Sequence, residues 1–165
     1  MTRLPPWFDR IDRAIAGTLR RYGVRVMRVA LAVVFILFGL LKPLGVSPAE
    51  GLVLRTVEWV PLFPPRAMLH LIGWWEVTIG VCFLWRPLIR VAVALLAMQM
   101  VGTFLPLVIV PEACYRRAAA LGGRFEMWTL TTEAQYILKN LLIIAGAMVV
   151  GGTARRRDRA TPQRL

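Results

Sequence analysis

The sequence predicts an all-α integral membrane four-helix bundle, with an amphipathic interfacial helix at its N-terminus and a short surface helix on the outer side. Three observations carry this. Four apolar runs, 24–41, 67–85, 88–110 and 133–152, are long enough, or nearly so, to cross a hydrocarbon core of about 30 Å at about 1.5 Å per residue. Hydrophobic residues make up 58% of the chain against 18% charged, and mean hydropathy is +0.61. The net charge of +12 is concentrated where a membrane protein places topology signals rather than along a nucleic-acid-binding face.

The first segment, 1–23, opens with Pro5-Pro6, which suits a helix start. Phe8, Ile11, Ile15, Leu19 and Tyr22 then recur at helical spacing, with Asp9, Arg10, Asp12, Arg13 and Arg20 on the other face. A basic amphipathic helix of this kind lies on a membrane surface. The membrane domain spans 24–152. Its first span ends at Gly39-Leu40-Leu41-Lys42-Pro43, where proline stops the helix and lysine snorkels to the interface. It lacks a clean small-x-small cleavage site and begins too late for a signal sequence.

Ser47-Pro48-Ala49-Glu50 reads as a capping box opening the outer surface helix, which should end before Pro61 and roof the bundle. The second and third spans form a tight hairpin around Trp85-Arg86-Pro87. The third span ends at Pro106 and Pro111, and a loop follows over 111–132 on the outer interface. The fourth span runs to Gly151-Gly152, and 153–165 is a basic tail without periodicity, expected to be disordered. Arginines of the N-terminal segment, of the 86–90 turn and of the tail then share one side, which the positive-inside rule makes cytoplasmic. The expected location is the plasma membrane with both termini inside.

The intramembrane polar residues are the place to look for function, because an ionised group at depth costs roughly 3 kcal/mol and is usually paired inside the bundle. Gly73, Glu76 and Gly80 lie on one stripe of the second span, so another helix approaches there and Glu76 faces protein. Gln99, Gly102, Thr103 and Pro106 share a face of the third, and Pro106 frees the carbonyl of Gly102. Glu133, Gln135, Tyr136, Lys139 and Asn140 fall on one half of the fourth span, expected to face inward, opposite Ala134, Ile137, Leu138 and Leu141. Depth counting puts Glu133, His70 and Lys42 near the outer interface and makes Lys139–Glu76 the deepest pair of a polar pocket. The pocket candidates are therefore Glu76, Lys139, Gln99, Tyr136, Asn140, Glu133 and Lys42. Ion pairs that only fix helix register are the plain alternative for all of them.

No catalytic or metal-ligand set accompanies them. A single histidine excludes bis-histidine haem held within one chain. Cys82 and Cys114 fall on opposite sides without a C-x-x-C motif, which argues against thiol–disulfide exchange. The tryptophans read as an aromatic belt.

The layout resembles a known family. Phe35-x-x-Phe38-Gly39-Leu40-Leu41-Lys42, then Gly73-x-x-Glu76-x-x-x-Gly80, a short turn with Pro87 and Arg90, and Glu133-x-x-Tyr136-x-x-Lys139 look like the DoxX-like membrane proteins over roughly 24–152. That family is named for a small membrane subunit of a thiosulfate:quinone oxidoreductase. The resemblance implies an accessory or quinone-interacting subunit of a membrane redox system, with Lys42, Glu76 and Lys139 as the residues that carry over. It implies quinone as the non-covalent ligand and a cofactor-bearing redox protein as partner, beside the lipid bilayer. A small solute, ion or proton transporter or channel, and a structural subunit or assembly factor, are the competing readings.

Overall fold

A computed structural model describes residues 6–58, 63–117 and 125–153. Four long helices form the bundle: α1 (Pro6–Leu41), α3 (Pro65–Leu84), α4 (Ile89–Phe104) and α7 (Thr132–Thr153). Between them lie three short helices, α2 (Glu50–Val57), α5 (Pro106–Ile109) and α6 (Pro111–Cys114), and a two-stranded antiparallel ribbon, β1 (Tyr115–Arg117) with β2 (Phe125–Leu130). Four segments are long and apolar enough to cross a membrane: Trp7–Leu41, Pro65–Leu84, Arg86–Ile109 and Thr132–Thr153. The chain is a multi-pass helical membrane protein.

The long helices run up-down-up-down and close into a ring in which α1 meets α3, α3 meets α4, α4 meets α7 and α7 meets α1. One end of the ring carries the 3₁₀ turn Arg86–Leu88; it is called the hairpin end below. The other carries α2, α5, α6 and the ribbon, and is the α2 end. The core is made by Leu31, Ala32 and Phe35 of α1, Ile79 and Phe83 of α3, Ala92, Leu96 and Met100 of α4, and Ala147 and Val150 of α7. A smaller cluster at the α2 end joins Cys114, Ala134 and Ile137 with Leu52, Phe104 and Leu107 at its margin.

The α1–α3 seam is the tightest in the molecule. A methyl group added at Gly73 would lie 2.7 Å from the carbonyl oxygen of Gly39 and 2.9 Å from Cβ of Lys42. One added at Gly80 would lie 2.8 Å from the carbonyl oxygen of Ala32. Small residues let the two backbones touch, which is how helices gain contact where lipid offers no hydrophobic drive.

Chain breaks follow from local chemistry. Pro43 has no N–H to continue α1, and Gly45 takes a positive φ of 69° as the chain turns away. At Pro106 the carbonyl of Gly102 loses its usual donor, and Leu105 N–H supplies one at 3.3 Å, so α4 ends and α5 restarts. Thr131 caps α7: its hydroxyl accepts from Ala134 N–H at 3.3 Å while donating to Ala113 O at 2.7 Å, which ties α7 to α6.

Three expectations need correction. The amphipathic segment is not divided from the first span, because α1 runs unbroken from Pro6 to Leu41. Gly23 sits at the expected boundary, but both halves have helical periodicity and no proline divides them. The Ser47 capping box does not form: α2 begins at Glu50 with no side-chain cap, because a backbone turn, Glu50 N–H to Ser47 O at 3.1 Å, precedes it. The segment 111–132 is not wholly loop, since α6 and the ribbon occupy its described parts. The predicted tail lies outside the described residues beyond Thr153.

Candidate functional site: a buried lysine–glutamate–glutamine network

Glu76 is the centre of the only ion pair among the described residues, and its partner is Lys42. The ammonium of Lys42 donates to Oε2 of Glu76 and also lies 3.4 Å from the carbonyl oxygen of Phe38. Nε2 of Gln99 donates to Oε1 of Glu76 at 3.0 Å. Three spans thus converge on one carboxylate. The pair is enclosed, with the Lys42 side chain 7% exposed and that of Glu76 13%.

Each residue is placed by its neighbourhood. Glu76 lies between Gly73 and Gly80 on α3, on the face that α1 touches most closely, as the glycine stripe predicts. Lys42 follows the last residue of α1, and its stem runs back one turn toward Phe38, carrying the charge inward from the helix end. Gln99 is held on α4, where Thr103 donates back to the Gln99 carbonyl at 3.0 Å. A carboxylate with a cation on one oxygen and an amide donor on the other can stay ionised away from water, and neither donor leaves it unsatisfied.

The expected Lys139–Glu76 pair does not form. Lys139 is exposed, and its ammonium lies 4.6 Å from the centre of the Tyr136 ring. Tyr136, Glu133 and Gln135 are exposed too, whereas Ala134 and Ile137, expected to face lipid, are buried. Asn140 spends its amide on its own helix, donating to Tyr136 O at 3.2 Å and Ile137 O at 3.0 Å. His70 is exposed, while Cys82 and Cys114 are buried, free, and in different clusters.

The reason lies in how α7 meets its two neighbours. Lys139, Ile143, Gly146 and Val150 recur at helical spacing and form one stripe. In the hairpin-end half this stripe is packed: Gly146 receives the Met27 side chain of α1, and Val150 is fully buried. In the α2-end half the same stripe is Lys139 with Tyr136 beside it, both exposed. There α7 packs instead through Ala134 and Ile137 on Phe104 of α4 and on Cys114. So α7 packs on Met27 of α1 in its hairpin-end half and on Phe104 and Cys114 in its α2-end half. Phe38 of α1 is 54% exposed. Phe38, Tyr136 and Lys139 are thus exposed in the half of the bundle that holds the Lys42–Glu76 pair. The sequence turned the polar half of α7 inward, whereas at the α2 end the buried positions are Ala134 and Ile137.

An element that sequence reasoning missed is an open groove at the α2 end, lined by Arg55, Glu58, Ile109, Val110 and Glu112. Its lining comes from α2 and the α5–α6 corner, apart from the network. Among the described residues, no group of three or more His, Cys, Asp or Glu side chains could hold a metal ion. Outside the spans, burial pushes the Cys114 thiol above its ordinary range, and the charges of Glu133 and Glu112 add to the effect. No family model, curated protein or solved structure matches the chain.

Proposed function

We propose that this protein is an accessory membrane subunit of a redox system that admits a quinone-type head group from the lipid phase and offers it a proton-handling carboxylate. The carrying observation is a buried Lys42–Glu76–Gln99 network in the half of the bundle where Phe38, Tyr136 and Lys139 are exposed. A lipid-phase ligand needs a lateral way in, donors for its carbonyl oxygens and a group that holds a proton. In this reading the α1–α7 seam, flanked by exposed Phe38 and Tyr136, offers the first, Lys139 and Tyr136 the second, and Glu76 the third. The resemblance to DoxX-like proteins supports quinone as the ligand class. With one histidine and two separated cysteines in the chain, electrons come from a cofactor-bearing partner.

In this reading Glu76 is poised rather than free. Its charge is matched by Lys42, so protonating it releases an ammonium that turns to another acceptor. Gln99 holds one carboxylate oxygen and orients the other toward Lys42. The hairpin end, with Arg86, Arg90 and the arginines of α1, is the cytoplasmic side in this proposal, and the membrane is the plasma membrane.

A structural reading is favoured by one specific observation, the low exposure of the pair. It treats Lys42–Glu76 as a latch on the α1–α3 seam. The test is purification in mild detergent, with mass spectrometry of co-purifying proteins and extraction of bound quinone. We expect stoichiometric quinone or a flavin-, haem- or sulfur-handling partner. We also expect Glu76→Gln to lose the quinone while the bundle stays folded. Recovery of the chain alone without quinone overturns the proposal. The double variant Lys42→Leu/Glu76→Leu, which removes both charges, separates the readings: binding lost with the fold kept supports a functional carboxylate, and binding kept supports the latch.

A further inference from the structure

The N-terminal half of α1 is not used by the site. At about 1.5 Å per residue the 36 residues of α1 reach about 54 Å, against about 30 Å of hydrocarbon. Counting back from Leu41, the hydrocarbon is used up near Tyr22, and residues 6–21 extend about 24 Å past it. Every described side chain from Trp7 to Tyr22 is exposed.

Those side chains are not uniform. Phe8, Ile11, Ile15, Leu19 and Tyr22 form an apolar stripe, each more than 40% exposed. At helical spacing the stripe continues without a step into Val26, Val29, Val33 and Leu37, the exposed face of the span itself. It therefore lies on the lipid side of α1, opposite Leu31 and Phe35 in the core. Arg10, Arg13, Arg20 and Arg21 take the other faces. At the boundary, Arg21 and Arg25 lie 5.5 and 5.9 Å from the centre of the Tyr22 ring. Arg28 holds a buried Nε with no hydrogen-bond partner among the described residues.

We infer that the N-terminal half of α1 reclines on an anionic lipid leaflet, folding away from the bundle with its apolar stripe in the acyl region and its arginines among phosphates. The direction is set by geometry. A segment below the membrane that bends toward the lipid side of its own span turns that side up, so the stripe meets the bilayer. Bending toward the bundle would present the arginines to hydrocarbon. Gly17 and Gly23 have no neighbour within 4 Å of where a Cβ would be, and glycine is the weakest interior helix former after proline, so the bend falls there. A second copy of the segment is a poor occupant, because two such faces would bring arginine-rich helices side by side.

The full chain, in nanodiscs of phosphatidylcholine with or without phosphatidylglycerol, tests this. Nitroxide labels go on Ile15→Cys, in the stripe, and on Arg13→Cys, on the basic face. The chain with only its two buried native cysteines, taken through the same labelling, gives the background. With anionic lipid we expect position 15 to be accessible to oxygen and shielded from a water-soluble nickel complex, and position 13 the reverse. Removing two arginines, Arg20→Gln/Arg21→Gln, should lower the ratio of lodged to water-exposed label about 30-fold. Equal water exposure at both positions in the anionic membrane overturns the inference. So does a label at position 15 that is shielded from both reagents, which would mark a protein partner. So does lodging unaffected by lipid charge.

Discussion

Helix α1 makes two seams in this bundle, and they behave differently. Against α3 it is closed from Ala32 to Lys42, with glycines at 39, 73 and 80 bringing backbone against backbone. Against α7 it packs at the hairpin end, where Gly146 and Ala147 leave room for Met27 and the core. At the α2 end the same stripe of α7 presents Tyr136 and Lys139, both exposed. Side-chain size at the seam decides how close two membrane helices come. The α1–α3 seam encloses a matched ion pair, whereas the α2-end half of α7 carries an exposed cation.

The largest expected effect contrasts the two lysines of the chain, Lys42 and Lys139. Lys42→Leu strands a buried carboxylate and should cost about 3–5 kcal/mol of bundle stability, read by denaturation in mild detergent. Lys139→Leu should leave stability within about 0.5 kcal/mol. Equal effects would mean that Glu76 draws on both lysines. Next come the seams themselves. Gly73→Ala places a methyl group against backbone and should cost about 2–3 kcal/mol. Gly146→Ala meets only the Met27 sulfur, 2.9 Å from the added carbon, at the end of a flexible side chain that can move, so its cost should stay below about 1 kcal/mol. A reversed order would show the α1–α7 seam to be the more rigid one.

The smallest effect concerns what α7 keeps at the α2 end. Cys114 is fully buried under Ala134 and Ile137, and burial raises its thiol. The folded state thus favours the protonated form. Cys114 should leave stability flat below the ordinary thiol range of about 8.5 and reduce it as pH rises past that range. Cys114→Ala should remove that slope in a pH series of thermal unfolding, and maleimide should reach Cys114 only after unfolding.

Much of the fold was legible because apolar length and helical period are properties of the chain alone. The second and fourth spans, expected at 67–85 and 133–152, fall at Pro65–Leu84 and Thr132–Thr153. Glu76 could be turned inward from Gly73 and Gly80 because a glycine stripe marks close approach. Its partner could not be read. Depth was counted from Cα positions, which put Lys42 at the interface, but a four-carbon stem carries its charge a full turn inward toward Phe38. The polar stripe of α7 was turned inward but is exposed at the α2 end, where Ala134 and Ile137 are buried, because a helical wheel separates two faces without saying which one meets a neighbouring helix. The unbroken α1 was hidden for the opposite reason: amphipathic and apolar helices share one period, and composition alone does not say where a helix bends or stops.

The order in which the chain is made gives the ion pair a further meaning. Lys42 is synthesised 34 residues before Glu76. An α1 inserted ahead of α3 carries an unmatched ammonium at its end, which its flexible stem can hold at the head-group level. Only when α3 arrives beside it can the lysine turn inward and the glycines close. The pair therefore records a step in biogenesis: an inserted α1 becomes committed to its neighbour when the second hydrophobic segment enters the membrane.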